Sequence, residues 1–171
     1  MLKYLLDENT LGGKVPIVSL ARNDADFSED GKYYYDMALE KGVRIVMFTE
    51  DTDLSGYDIL VDCMLGTGFS GEVRGLYRAA IEKMNASKAY TIAVDINSGM
   101  NGDTGAGETV VRSDLTVTIG FLKHGLVAQN AGKHMKRLIR TDISILLARP
   151  ERLLAPEEFP RWLDPKTIVS K

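Results

Sequence analysis

Two aspartates each close an apolar, β-branched run and open onto small, flexible residues. The runs are Asp58-Ile-Leu-Val-Asp62-Cys-Met-Leu-Gly-Thr-Gly68 and Thr91-Ile-Ala-Val-Asp95-Ile-Asn-Ser-Gly99. A carboxylate at such a point can hold a cation, orient a hydroxyl or move a proton. It can also cap a neighbouring loop through local hydrogen bonds. In an α/β fold, ligands bind outside the carboxyl ends of the strands. Both aspartates together, beside a glycine loop, favour chemistry over capping and point to one shared pocket.

The glycine loop is Gly66-Thr67-Gly68, followed by Phe69, Ser70, Gly71 and Glu72. Glycines let backbone N–H groups approach an anion, and a helix amino end adds partial positive charge, so a nucleotide phosphate is the natural guest. Turn glycines alone explain the pattern equally well. The dinucleotide fingerprint is not met, because the third glycine is displaced. Ser98 lacks a histidine placed to activate it as a nucleophile. His124 and His134 read as surface or structural residues, so Ser98 reads better as a ligand of a cation or substrate. Lys123 follows an expected strand ending at Ile119 and reads either as a phosphate partner or as an ordinary solvated lysine.

The elements that must position these residues follow from hydrophobic periodicity and turn signals. Strands are predicted over Val15–Leu20, Val43–Phe48, Asp58–Asp62, Tyr90–Asp95 and Asp114–Ile119, and helices over Gly31–Lys41 and Glu72–Asn85. Ala21–Asp30 reads as an acidic loop and Gly99–Gly107 as a turn-rich one. Lys133–Leu147 reads as one or two short strands, with Ile143–Leu147 the clearer. From Arg149 onward, four prolines predict a helix-poor tail that wraps the surface or contacts a partner. Alternating strands and helices imply a mainly parallel sheet covered on both faces.

Length and composition bound the answer. The 171 residues suit one domain over 1–171, with 44% hydrophobic and 26% charged residues as in a soluble globular protein. A net charge of -3 argues against a general nucleic-acid surface. The single cysteine, Cys63, excludes an internal disulfide and reads as a buried core thiol, which fits a cytoplasmic location. Neither a signal peptide nor a membrane span is expected. Cysteine and histidine do not cluster at zinc-ligand spacing.

In order and approximate spacing, Val61–Gly68, Val94–Met100, Asp103–Gly105, Ser113–Thr118 and Phe121–Leu126 resemble the NAD(P)H-hydrate epimerase family, the YjeF N-terminal domain. The resemblance covers roughly residues 15 to 147. It implies a Rossmann-like three-layer αβα sandwich, often dimeric, that interconverts the R and S forms of hydrated NADH and NADPH (NAD(P)HX). It makes Asp62 and Ser98 ligands of a potassium ion and puts Gly66 to Glu72, with Asp30, around the substrate. It makes Asp95 a substrate-binding, acid/base residue and makes Lys123, which matches the family's lysine after the fifth strand, a second catalytic residue. A functional link to an NAD(P)HX dehydratase on another chain is also implied. Neither nucleic acid nor membrane is implied as a partner.

The likeness is incomplete in three places. Ala25–Gly31 occupies the register of an asparagine- and glycine-rich loop and matches it only at Asp30 and Gly31. Residues 1–14 stand where a longer helical segment precedes the first strand. Asn97 takes the place of a usual proline. The altered loop sets against the enzyme a second reading, a non-catalytic binding or dimerisation module of the same fold.

Overall fold

Ile17–Ser19 forms β1, and Ile45–Met47 forms β2, which pairs with it in parallel. Both fall inside the predicted strands. The computed structural model describes residues 16–21 and 26–142, which divide into two compact units at Thr52 and Asp53. The β1–β2 pair and the helix between them, α1 (Glu29–Glu40), form the described part of the first unit. The Ser28 hydroxyl accepts from the Gly31 amide at 3.1 Å, and Glu29 and Asp30 lie in the first turn, where they complement the helix dipole. This cap starts the helix two residues before Gly31, so the end of the expected acidic loop is helical. Gly42, at φ +72°, lets the chain leave the helix.

The second unit carries a four-stranded parallel sheet in the order β3 (Ile59–Asp62), β4 (Tyr90–Val94), β5 (Leu115–Ile119) and β6 (Leu138–Thr141). Val61 pairs with Ile92, Ile92 with Leu115, and Thr116 with Leu138. A helix α2 (Gly75–Ala86) joins β3 to β4. A short helix α3 (His124–Val127) and one 3-10 turn (Ala131–Lys133) join β5 to β6. This is the α/β class expected.

Two apolar clusters support the sheet. One joins Leu60, Val73, Ile81, Met84 and Val111. The other joins Ile96, Met100, Val110, Leu126, Ala131, Met135 and Leu138. The strand positions facing inward are partly polar: Asp62, Thr91, Thr116 and Thr118 are all buried. Burial of polar groups demands partners, and those partners build the site.

Several expectations change. Helix α2 begins at Gly75 rather than Glu72, because Val73 is drawn into the core and keeps Glu72–Arg74 out of the helix. Lys133 closes the 3-10 turn, and the strand of this region is Leu138–Thr141; Ile143–Leu147 and the tail from Arg149 lie outside the described residues. Cys63 is exposed, not a core thiol. It follows the buried Asp62, one residue past the end of β3. Its thiol is nevertheless held up at about 11, first by desolvation and then by the Asp62 charge, so it is poorly nucleophilic. No described helix is long and apolar enough to cross a membrane.

Candidate active site

The chain leaves β4 through a tight turn. Asp95 adopts φ +70°, the only described non-glycine residue with positive φ, and Gly99 follows at φ +89°. A non-glycine residue in the left-handed region is strained and persists only where its surroundings hold it. Here the Asp95 amide donates to the Val117 carbonyl at 2.8 Å, and its carboxylate oxygen Oδ1 accepts from the Ile119 amide at 3.1 Å. Asp95 is thus pinned to the carboxyl end of β5 by both backbone and side chain.

Lys123 ion-pairs with the same Oδ1. Its ammonium also donates to Thr118 Oγ1 at 3.1 Å and to the Ile119 carbonyl at 3.0 Å. All three ammonium protons therefore have acceptors. The Lys123 side chain is 16% exposed and that of Asp95 29%, so Lys123 is not a solvated surface lysine and the pair meets solvent through the carboxylate.

Asp62 and Ser98 come together in a second cluster. The Ser98 hydroxyl donates to Asp62 Oδ1 at 2.6 Å, and the Ser98 amide donates to Oδ2 at 2.8 Å. The Met64 amide adds a bond to Oδ1 at 3.2 Å, while the Leu65 amide donates to Ser98 Oγ at 2.8 Å. Asp62 is fully buried and makes no ion pair among the described residues. Burial pushes its carboxyl above the usual range, and the bonds from Ser98 and Met64 pull against that shift. The two clusters are joined through the span from Asp95 to Ser98.

The glycines divide into two kinds. A Cβ on Gly99 would lie 2.0 Å from the Thr109 carbonyl oxygen, and one on Gly125 would lie 2.3 Å from the Asn101 oxygen. These are required by close backbone approach. Gly66 and Gly68 have nothing within 4 Å of a Cβ and no positive φ. The protein's own packing does not require glycine there, which leaves space beside the loop. Of the loop's other residues, Phe69 packs on the Leu60 cluster and Glu72 pairs with Arg74 at 2.8 Å, while Thr67 and Ser70 are exposed. The amino end of α2 has neither a side-chain cap nor an acidic residue in its first turn. Its N–H groups are not committed to capping.

Asp30 lies in the first unit, in the first turn of α1. His124 is exposed at the start of α3. His134 is buried, and neither ring nitrogen has a hydrogen-bond partner among the described residues. Sequence reasoning missed the buried polar group around Asn97, formed with Ser113 and Thr116. The available signal was threonine at alternate positions of β5, facing the interior where aliphatic residues are usual.

Comparison with known proteins adds an independent line. An NAD(P)H-hydrate epimerase from Rhodopirellula baltica is 39% identical over 67% of this chain and 50% of its own length. A second, from Limosilactobacillus fermentum, is 40% identical over 58% of this chain and 48% of its own. A bifunctional NAD(P)H-hydrate repair enzyme Nnr from Moorella thermoacetica is 31% identical over 89% of this chain but 29% of its own length. The chain thus spans about half the length of the curated epimerases it matches, and less of the bifunctional relative. The crystal structure of yeast ynu0, YNL200c, shares the fold, with a TM-score of 0.66 at 14% identity, over 86% of this chain and 62% of that one. The family model described as YjeF-related protein N-terminus matches residues 9–125, and the chain belongs to that family.

Proposed function

We propose that the chain is an isomerase that interconverts the R and S epimers of NAD(P)HX. The observation that carries this reading is the Lys123–Asp95 pair at the carboxyl end of the sheet. It sits in a chain that is 39% identical, over 67% of its length, to a protein named NAD(P)H-hydrate epimerase. The hydrated nicotinamide ring bears its hydroxyl on a carbon bonded to nitrogen. Such a centre inverts through an iminium, when hydroxide leaves and returns, or through ring opening to an aldehyde and reclosure. Either route moves protons, transfers no electrons net and leaves the composition unchanged. Asp95 takes and returns the proton, and Lys123 holds the carboxylate in place beside it. The strained backbone of Asp95 fixes the direction in which its carboxylate is presented.

The substrate phosphates are assigned to the loop Gly66–Glu72. Open space at Gly66 and Gly68 and the uncapped amino end of α2 support that assignment. Asp30 is assigned to substrate on the resemblance alone. A potassium ion fits the donor chemistry at Asp62 and Ser98. The carboxylate, the hydroxyl and the Leu65 carbonyl, 3.4 Å from Ser98 Oγ, are all hard oxygens. Among the described residues the buried carboxylate has no ion-pair partner. When bound, the ion would supply fixed positive charge near the reacting centre.

The relatives named bifunctional bear two functions on one chain. We take the second to be the dehydration of the S epimer, so the expected partner on a separate chain is fused in those proteins. A homodimer and a cytoplasmic location remain part of the proposal. The test is conversion of R-NADHX, coupled to an S-specific dehydratase, with and without potassium. Acceleration above the spontaneous rate supports the proposal. Its absence under both conditions supports the non-catalytic module.

A further inference from the structure

We infer that Asn97 is a positioning residue that holds Asp95 and Ser98 in their separate engagements. The activity arm of this inference rests on the epimerase reading. Asn97 lies two residues after Asp95 and directly before Ser98, between the left-handed turns at Asp95 and Gly99. Its side chain is fully buried. Nδ2 carries two protons and faces three acceptors, the Val111 carbonyl at 2.9 Å, Ser113 Oγ at 3.0 Å and the His134 carbonyl at 3.1 Å, so one proton is shared between two of them. Thr116 Oγ1 donates to Asn97 Oδ1 at 2.7 Å. That spends the only hydroxyl proton of Thr116, so the 2.8 Å contact between the hydroxyls runs from Ser113 to Thr116.

The result is a closed ring with one direction: Asn97 to Ser113, Ser113 to Thr116, Thr116 back to Asn97. The two carbonyls beside Nδ2 fix the amide orientation and hence the direction of the ring. Buried, fully satisfied networks specify one arrangement and are disrupted by removal of a member. This ring ties the span between Asp95 and Gly99 to β5 through Thr116. The Ser98 carbonyl adds a tie, accepting from the Val111 amide at 3.0 Å. On either side of the anchored residue, Asp95 meets Lys123 and Ser98 meets Asp62. A proline at this position would supply no side-chain amide and would leave Thr116 Oγ1 without its acceptor on residue 97.

The experiment combines residue-resolved amide hydrogen exchange with steady-state kinetics on Asn97→Ala and Thr116→Val. The second variant keeps the side-chain shape and opens the ring at one hydroxyl. In both, the Ser98 amide should exchange faster, about tenfold or more in Asn97→Ala, while the amides paired between β3 and β4 stay within about twofold. In Asn97→Ala, kcat should fall about tenfold with KM within about twofold, as for a lost orienting interaction. Uniform acceleration of every amide, or unchanged protection at Ser98, overturns the inference. If Asn97→Ala does not fold, Thr116→Val decides by the same criterion. If the wild-type chain does not epimerise, the exchange result still judges the positioning, and the failure belongs to the activity reading.

Discussion

Ser98 grips Asp62 with both of its polar protons: the hydroxyl reaches Oδ1 at 2.6 Å and the amide reaches Oδ2 at 2.8 Å. The contact links the carboxyl end of β3 to the turn after β4. It therefore holds the glycine loop and the Asp95 turn in one frame. Ser98→Ala removes one acceptor for the Leu65 amide and one donor to a buried carboxylate. Loss of a buried, charge-assisted hydrogen bond costs about 1.5–3 kcal/mol. Urea unfolding should show a destabilisation of about that size, and a change below about 0.5 kcal/mol would contradict the clasp.

The two kinds of glycine separate stability from binding. Gly99→Ala meets the Thr109 oxygen and a φ of +89°, so it should destabilise by at least about 2 kcal/mol. Gly68→Ala meets open space at an ordinary φ, so stability should stay within about 1 kcal/mol of wild type or rise. If the loop receives phosphates, the added methyl group should raise KM severalfold and leave kcat nearly unchanged. An unaltered KM would remove the loop from the substrate site.

His134 predicts an acid-side loss of stability. Desolvation, then the charges of Lys133 and Arg112, hold its imidazole below the ordinary 6.5. As pH falls through 6.5 the unfolded chain takes the proton first. The stabilisation is complete above 6.5 and is lost until pH passes below the folded value. The slope from this one group is at most about 1.4 kcal/mol per pH unit. Measured unfolding free energies between neutral and mildly acid pH should fall less steeply in His134→Phe than in wild type. Equal slopes would show that His134 does not contribute.

The parallel strands were legible because β-branched runs such as Asp58–Asp62 and Asp114–Ile119 are bounded by turn residues. The two carboxylates were legible because each ends such a run. The strand near the carboxyl side was less so: Lys136-Arg-Leu-Ile-Arg-Thr141 places its strand at a sheet edge, where Arg140 and Thr141 are exposed and apolar alternation fails. Cys63 was misread because an apolar neighbourhood in sequence says nothing of which face a residue takes after the strand ends. The Lys123–Asp95 pair joins residues 28 apart, and the Asn97 ring joins partners 16 and 19 apart. Such pairings depend on register between strands, which local pattern does not encode.

If Asp95 moves the proton in R/S interconversion, Asp95→Asn should remove the base while leaving the fold in place. Asparagine keeps the shape and an acceptor oxygen for the Ile119 amide but cannot serve as a carboxylate base. Interconversion of purified R- and S-NADHX should be followed directly for wild type and variant, with folding checked by circular dichroism. The wild-type rate should lie well above the spontaneous one, and that of a folded Asp95→Asn variant should fall by about 100-fold or more, toward the uncatalysed rate. A folded Asp95→Asn variant that interconverts the epimers at the wild-type rate would contradict that role for Asp95.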